Sequence, residues 1–421
     1  MERYSEYKDS GVQWLGEIPG HWEMDSLRKF LKIFVEKGHG DKQLLSVTRE
    51  QGVIERNTDS KEENHNFIPE DLSGYKYVQA GDFVINKMKS WQGSYGVSEY
   101  EGIVSPAYFT CKLQGVDKNF FSTAIRSRIY VSFFARYSKG IRVDQWDLSP
   151  VALKSIPFAL PPLSEQRTIV SYLDDKCGKI DKMLEGKQKQ IELLAEMKQR
   201  IIADAVTRGL NPDVKMKATN NICLGDIPNH WHIMRYGTLF KLKPVKPHHG
   251  EELLSVFLNL GVIRAAESDK RTHAASDDLS KYQLVEPTDF VMNNQQAWRG
   301  SVGVSQLTGI ISPAYHIFKM PNCFDPEYAN YLLRSKAIVG QFEMSSRGVG
   351  SIQRTLNFNW LNNRIIPIPP LSEQRTIVSY LDDKTSKIDA LTSKLQQEIE
   401  SIKEYKQRLI SDVVTGQIKV C

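Results

Sequence analysis

The sequence predicts an α+β protein in which two globular domains, related by a pseudo-two-fold axis, are separated by two long helices that form an antiparallel coiled coil. The first observation is a duplication: the sixteen residues PPLSEQRTIVSYLDDK stand at 161–176 and again at 369–384. The second is that a mixed globular sequence precedes each copy, and the third is that a long helical pattern follows each copy. A repeat of 208 residues is too long for a solenoid, so it indicates a duplicated domain pair.

Shorter matches extend the duplication on both sides of the sixteen-residue block. LGEIPGHW at 15–22 corresponds to LGDIPNHW at 224–231, and LLSV, DFV and SPAY recur in the same order. We therefore divide the chain into a globular part at 1–160, a helical part at 161–210, a second globular part at 211–368 and a second helical part at 369–421. The segment Asn211 to Asn221 is rich in Asn, Lys and Thr, which predicts a linker between the two copies.

The globular parts contain both types of secondary structure. Short β-like runs at 44–47, 82–85 and 102–104 are bounded by Gly, Pro and Asn, whereas 120–137 and 326–342 have a helical pattern. This mixture predicts the α+β class.

The helical parts begin after Pro161-Pro162 and Pro369-Pro370, which end the preceding strand-like runs. Ser164 can cap a helix whose first turn contains Glu165. Apolar residues then alternate at spacings of three and four, interrupted by Lys187 and Lys198, at Leu173, Cys177, Ile180, Leu184, Ile191, Leu194, Ile201 and Ala205. The second copy repeats this seam at Leu381, Ile388, Leu395, Ile399, Ile402, Leu409 and Val413. A helix of about 45 residues is on the order of 65 Å long, so the two helices are expected to pair with each other.

Composition and motifs exclude several classes of protein. The chain has 421 residues, 41% of them hydrophobic and 25% charged, with a formal charge of +5, which permits an anionic partner. Five scattered cysteines without a Cys-x-x-Cys spacing predict neither a zinc cluster nor disulfides, and fit a reducing cytoplasm. No signal peptide and no apolar run of about 20 residues is present, so we expect a soluble protein.

Signatures of catalysis are absent from the sequence. It contains no GxxxxGK[ST], HExxH, GxSxG, GxGxxG or [NDS]PP[YF] motif, so we predict no catalytic residue, no metal and no cofactor bound by this chain. Asp174-Asp175-Lys176 and its copy at 382–384 are interpreted as a solvated helix face, and His248-His249 as part of a loop.

The doubled PPLSEQR block, preceded in each copy by LGxIPxHW, resembles the specificity subunits of type I restriction-modification systems over nearly the whole chain. The resemblance implies two target-recognition domains, each reading one half of a bipartite, asymmetric DNA target. It implies that the helices space these domains and bind two methyltransferase subunits, which nuclease/translocase subunits join. S-adenosylmethionine would then belong to the methyltransferase, and ATP and magnesium to the nuclease. Departures from the family's pattern are few, chiefly Cys177-Gly178, where the second copy has Thr385-Ser386.

Candidate DNA contacts lie next to motifs that recur in both copies, at positions where the two copies carry different residues. Lys and Arg suit guanine or phosphate, whereas Asn and Gln suit adenine. These candidates are Arg49, Gln51, Lys87, Lys89, Lys139 and Arg142 in the first copy, and Asn259, Arg264, Gln295, Gln296, Arg299, Arg347, Gln353 and Arg354 in the second. Trp91 and Trp298 are interpreted as packing residues.

Candidate subunit-docking residues are those of the two PPLSEQR elements, interpreted as helix starts that also dock a partner subunit. They are Pro161, Pro162, Leu163, Glu165, Gln166, Arg167, Pro369, Pro370, Leu371, Glu373, Gln374 and Arg375.

Two other classes of function remain open at this point. One is a coiled-coil scaffold of another defence or modification complex, and the other is an autonomous DNA-modifying enzyme. The expected helix length allows the two half-sites to be at most about 19 base pairs apart, at about 3.4 Å per base pair.

Overall fold

The computed structural model describes residues 2–57, 69, 71–140, 146–244, 248, 250–258, 260–267, 279, 281–349 and 353–420, with the side chains of 349 and 353 excepted. The chain divides into two compact units, residues 1–188 with 397–421 (unit 1) and residues 189–396 (unit 2). The four parts that we predict are each continuous in sequence. In the structure, by contrast, each compact unit contains one piece of both long helices.

Unit 1 contains the first globular part and the start of its long helix. Its elements are β1 (Tyr7–Asp9), β2 (Glu17–Pro19), β3 (Glu23–Ser26), β4 (Leu31–Phe34), β5 (Leu45–Thr48), β6 (Gly52–Glu55), β7 (Lys76–Val78), β8 (Phe83–Ile85), β9 (Tyr95–Val97), β10 (Gly102–Val104), β11 (Phe109–Leu113), α1 (Lys118–Ile125), α2 (Arg128–Tyr137), α3 (Pro150–Ser155) and β12 (Pro157–Leu160). The first long helix, α4 (Leu163–Arg208), begins in this unit and continues into unit 2.

Unit 2 repeats this order of elements, with some in addition. Its elements are β13 (Met216–Ala218), β14 (Asp226–Pro228), β15 (His232–Arg235), α5 (Tyr236–Leu239), β16 (Lys241–Leu242), β17 (Leu254–Phe257), β18 (Gly261–Arg264), β19 (Gln283–Val285), β20 (Phe290–Asn293), β21 (Val302–Val304), β22 (Gly309–Ile311), β23 (Tyr315–Lys319), α6 (Pro326–Arg334), α7 (Lys336–Met344), β24 (Ser346–Val349), β25 (Gln353–Leu356), α8 (Phe358–Leu361) and β26 (Ile365–Ile368). The additional elements are α5, β24 and β25. The second long helix, α9 (Leu371–Val414), begins here and ends in unit 1.

The sheets confirm that each unit is α+β with the same topology. Unit 1 has a four-stranded antiparallel sheet in the order β4-β11-β8-β9, and unit 2 has the corresponding sheet β16-β23-β20-β21. Antiparallel two-stranded ribbons accompany each sheet. Those of unit 1 are β1-β2, β3-β12, β5-β6 and β7-β10, and those of unit 2 are β13-β14, β15-β26, β17-β18, β19-β22 and β24-β25.

Each predicted globular-part helix is divided into two helices. The continuous pattern at 120–137 forms α1 and α2, and that at 326–342 forms α6 and α7. Ser127 and Ser335 adopt extended backbone between the helices, and the Ser335 side chain accepts a hydrogen bond from the amide of Ile338. A serine in this conformation ends one helix and begins the next, which the apolar periodicity alone does not indicate.

The predicted linker is partly ordered structure. Met216–Ala218 pairs with Asp226–Pro228, and the Lys217 ammonium donates to the carbonyl oxygens of Asn229, at 2.8 Å, and Trp231. The linker prediction is therefore wrong for these residues, because a polar edge strand has the same composition as a linker.

The two long helices pack against each other in both units, as their seams predict. Seam residues such as Leu381, Ile388 and Leu395 are at most 7% exposed, whereas their neighbours Asp383 and Leu391 are exposed. Within unit 1 the helices run antiparallel, since Asp181 pairs with Lys406 and Lys187 pairs with Glu398.

Ion pairs explain the lysines that interrupt the seam. Lys187 binds Glu398, and Lys198 binds Asp389, each at 2.6 Å. Lys406 binds Asp181 at 2.6 Å, which repeats the Lys198 pair at the corresponding positions of the duplication. These lysines cross the helix interface with their stems packed and their ammonium groups paired, so they belong to the seam.

Each globular core includes the end of a long helix. In unit 1, Leu409 and Val413 of α9 join a core containing Trp22 and Phe158, and in unit 2 Val206 of α4 joins the corresponding core.

Burial raises the pKa of the core residue Cys111 to about 12, so its thiol stays protonated at neutral pH. Among the helices described, none combines the length and apolar character needed to span a membrane.

Candidate nucleic-acid interface

Three segments in each unit carry the candidate DNA contacts. In unit 1 they are the β5-β6 turn at 48–52, the β8-β9 loop at 86–93 and residues 138–140 with 146–148; we call these together the tip surface. In unit 2 the tip surface consists of Leu258 and Leu260 between β17 and β18, the β20-β21 loop at 294–301 and the paired strands β24 and β25.

The tip surface of unit 1 exposes most of its candidate side chains. Arg49 and Gln51 lie exposed in the β5-β6 turn, and Lys89 and Lys139 are also exposed. Lys87 is 33% exposed and its ammonium lies 3.2 Å from a carboxylate oxygen of Asp147. Arg142 lies outside the described residues.

The tip surface of unit 2 combines arginines with tryptophans. Gln295, Gln296 and Arg299 are exposed in the β20-β21 loop. The guanidinium groups of Arg354 and Arg299 lie 4.8 and 5.6 Å from the ring centroid of Trp298, and that of Arg347 lies 5.1 Å from the Trp360 centroid. Gln353 belongs to β25, although its side chain is not described, and Asn259 lies outside the described residues.

Arg264 does not lie at the β17-β18 turn. It lies at the opposite end of this ribbon, paired with Leu254, and its guanidinium binds Glu252 at 2.8 Å and Glu267 at 3.0 Å. The register pairs Leu45 with Glu55 and Leu254 with Arg264, so Arg264 corresponds to Glu55 of the first copy. The number of residues between LLSV and Arg264 does not show on its own whether Arg264 lies at the turn or at the other end of the ribbon.

Backbone contacts make the three segments of each tip surface contiguous. The amide of Leu148 donates to the carbonyl of Lys87 at 3.1 Å, and in unit 2 the amide of Leu356 donates to the carbonyl of Asn294 at 3.4 Å. The β5-β6 ribbon approaches β9 closely, because a Cβ on Gly96 would lie 3.2 Å from the Cα of Gly52. A protein surface of this kind can contact several adjacent base pairs and phosphates.

The start of each long helix is bound to its own globular part by a carboxylate. Glu165 accepts hydrogen bonds from Nε2 of His21 at 2.8 Å and Nε1 of Trp22 at 3.1 Å, and from the hydroxyl of Tyr4. In unit 2, Glu373 accepts the corresponding bonds from His230 at 2.8 Å and Trp231 at 3.1 Å. The LGxIPxHW and PPLSEQR motifs are therefore two halves of one contact, which we call the helix-start clamp.

The glutamine that follows extends the helix-start clamp. Gln166 accepts from the amide of Asp117 and donates to the carbonyl of Pro161, both at 2.8 Å. Gln374 makes the same bonds with Asp325, at 2.8 Å, and Pro369, at 2.9 Å. Asp117 and Asp325 are the N-caps of α1 and α6, so the clamp also fixes the start of these helices.

The helix-start clamp leaves only part of the docking candidates exposed. Pro161, Glu165, Gln166, Pro369 and Gln374 are buried and Glu373 is half-buried. Exposed candidates are Pro162, Leu163, Arg167, Pro370, Leu371 and Arg375. A signal for the clamp is present in the sequence, since a Trp and a Glu recur at nearly the same spacing in both copies. They stand 143 residues apart in the first copy, and nothing in the local sequence connects them.

Removing the clamp carboxylate should destabilise unit 1. We expect Glu165→Ala to lower the free energy of unfolding by about 1–3 kcal/mol, because the indole N–H of Trp22 would be buried without an acceptor. Glu185→Ala changes an exposed glutamate on the same helix and should have little effect. Chemical denaturation of both variants tests this, and equal unfolding midpoints would contradict the clamp.

The predicted helix-face acids and loop histidine are where the sequence places them. Asp174 and Asp175 are exposed, and a hydrogen bond from Lys179 lowers the pKa of Asp175. His248 lies 3.8 Å from Glu251, and His249 lies outside the described residues. Within the described part of the chain, no three His, Cys, Asp or Glu side chains form a cluster suited to a metal ion.

Comparison with known proteins shows which proteins this duplicated chain is similar to. Residues 313–401 match the family model described as the type I restriction modification DNA specificity domain. The putative MjaX specificity subunit of Methanocaldococcus jannaschii is 23% identical over 96% of each chain. The EcoBI specificity subunit of Escherichia coli is 22% identical over 97% of this chain and 89% of its own.

Solved structures share the fold. A chain from a structure that concerns complex assembly and conformational transition of the type I R-M system has a TM-score of 0.67 at 14% identity, and the match covers 95% of this chain and 99% of that one. The HsdS subunit from Thermoanaerobacter tengcongensis has a TM-score of 0.50 at 15% identity, over 95% and 98% of the two chains. The resemblance inferred from the sequence is thus confirmed: over nearly its whole length the chain is similar to specificity subunits of type I restriction-modification systems.

Proposed function

We propose that this chain is the DNA-sequence-recognition subunit of a type I restriction-modification complex. Each globular part reads one half of a bipartite, asymmetric target in double-stranded DNA, and the helices hold the two readers. The observation that carries this proposal is the pair of tip surfaces, which occupy equivalent places in two equivalent folds but carry different side chains. Equivalent folds with different contact residues are what recognition of an asymmetric target requires.

Two methyltransferase subunits dock on the helical parts in this proposal, and nuclease/translocase subunits join them. The exposed residues at the start of each long helix support docking, because Leu163 is 51% and Leu371 is 42% exposed at equivalent positions. Arg167 and Arg375 flank them and lie 4.0 and 3.8 Å from Asp117 and Asp325. Two equivalent exposed apolar positions suit two copies of one partner.

The chain itself is non-catalytic in this proposal and works in the cytoplasm, without a membrane partner. S-adenosylmethionine is held by the methyltransferase partner, and ATP and magnesium by the nuclease partner. The absence of cofactor and nucleophile motifs from the sequence supports the assignment of these cofactors to the partner subunits.

The test is methylation of genomic DNA by the purified chain, alone and with its methyltransferase partner. We expect methylation only with the partner, at one bipartite asymmetric sequence. Methyl transfer or DNA cleavage by the isolated chain would support the autonomous enzyme instead. Assembly with the partner but without sequence selection would support the scaffold.

Exchanging one loop should change recognition of one half-site. We expect the triple variant Lys87→Asn, Met88→Gln and Lys89→Gln, which introduces the second copy's loop residues, to alter base preference by roughly 1–3 kcal/mol for each bidentate base contact that it removes. Methylome sequencing measures this preference for both half-sites. Altered preference at both half-sites would contradict the assignment of this loop.

A further inference from the structure

The turn between the two globular-part helices carries the same motif in both copies. It reads Arg126-Ser127-Arg128 in unit 1 and Arg334-Ser335-Lys336 in unit 2. The second basic residue, Arg128 or Lys336, is exposed, whereas the first arginine is half-buried. The first arginine therefore contacts other parts of its own domain.

In unit 1 this arginine binds the β5-β6 turn. The Arg126 guanidinium donates to the carbonyl oxygens of Arg49 at 3.0 Å, Glu50 at 2.8 Å and Tyr95 at 2.6 Å. Arg49 and Glu50 are in the turn and Tyr95 is the first residue of β9, so one planar side chain connects the turn, the sheet and the end of α1.

A glycine allows the Arg126 guanidinium to lie this close to the β5-β6 turn. Gly52 follows the turn with a φ of +77°, and a Cβ there would lie 3.0 Å from Nη1 of Arg126. A side chain at Gly52 would therefore be strained and would also displace the guanidinium. The turn residues and the arginine fit each other closely.

Unit 2 repeats the close approach of the arginine but not its hydrogen bonds, since within the described part of the chain Nε of Arg334 is buried without a partner. A Cβ on Gly261, at a φ of +79°, would lie 3.3 Å from Nη1 of Arg334, and one on Gly303 would lie 3.0 Å from the Cα of Gly261. Arg334 also lines a cavity of about 690 Å³, together with Leu258 of the turn and Arg299 of the β20-β21 loop. The arginine thus meets the tip surface in both units.

We propose that Arg126 and Arg334 are positioning residues for DNA specificity, Arg126 through its hydrogen bonds to the β5-β6 turn and Arg334 through its close approach to Gly261, the first residue of β18. This inference rests on the proposed function. A short turn has few contacts of its own, and base recognition requires side chains placed to within about 0.5 Å. The planar guanidinium of Arg126 holds three carbonyl oxygens at once in a fixed geometry, which a lysine ammonium cannot reproduce.

The test compares Arg126→Ala, Arg126→Lys and Arg334→Ala in the complex with the methyltransferase partner. The probes are DNA duplexes carrying the target that the wild-type complex methylates, and duplexes with one base pair changed in either half. We expect Arg126→Ala to reduce discrimination in the half read by unit 1 by about tenfold, the scale of one base-pair contact, and to leave the other half unchanged. Arg334→Ala should do the reverse, and Arg126→Lys should behave like Arg126→Ala.

Two further measurements distinguish positioning from general stability. Amide hydrogen exchange at 48–52 should accelerate in Arg126→Ala while the thermal midpoint of the complex stays close to that of Arg28→Ala, an exposed arginine of the same unit. If Arg126→Ala does not fold, Arg126→Lys and Arg334→Ala decide the question. Unchanged discrimination in both halves overturns the inference alone, whereas a wild-type complex without a bipartite target overturns the proposed function.

Discussion

Replacing residues 224–368 with a second copy of residues 15–160 should produce a protein that recognises one half-site twice. Under the proposed function, the pseudo-two-fold relation predicted from the duplication would present the two readers to opposite strands, so the new target should be an inverted repeat with the original spacer. Because both long helices are retained, assembly with the methyltransferase should survive. This is the largest change in specificity that we expect from any variant.

The helix-start clamp makes this exchange structurally feasible. The transplanted His21 and Trp22 would meet Glu373, which already accepts bonds from His230 and Trp231. Strand β2 of the transplant would pair with β13, as β14 does. Methylome sequencing of a host expressing the hybrid with its partner measures the new target. An asymmetric target in the hybrid would contradict modular reading by the two domains.

A charge placed in the helix seam should cause the largest loss of stability. Leu395 is 7% exposed in the packed interface of unit 2, so Leu395→Asp removes a buried apolar side chain and buries a carboxylate. We expect this variant to lose about 3–5 kcal/mol of unfolding free energy. Recognition of both half-sites should also weaken, since the helices hold the readers.

The matched control is Leu391→Asp, on the same helix one turn earlier, where the leucine is 46% exposed. We expect this change to cost less than about 1 kcal/mol, as surface substitutions usually do. Denaturant unfolding and a DNA mobility shift compare the two variants. Equal stability of both would show that the apolar seam does not hold the helices together.

Several features of the fold follow from local patterns. The two helices can be predicted because apolar residues recur at spacings of three and four over most of their length, which requires a helix with one apolar side. The strands at 44–47, 82–85 and 102–104 are predicted to within one residue of their positions, since each is bounded by turn-forming residues. Lys187 and Lys198 look like interruptions in the sequence because their partners, Glu398 and Asp389, lie far along the chain.

The duplication, the α+β class, the long helices and the family resemblance can all be inferred from the amino-acid sequence, because each depends on repetition or on short-range periodicity. How the motifs are used depends on the folded chain. The fold joins Trp22 to Glu165, separates Arg264 from the turn and places Arg126 against the carbonyls of residues 49 and 50. A hydrogen bond between distant residues forms only where the fold brings a donor and an acceptor within about 3 Å, and neither partner's local sequence records that distance.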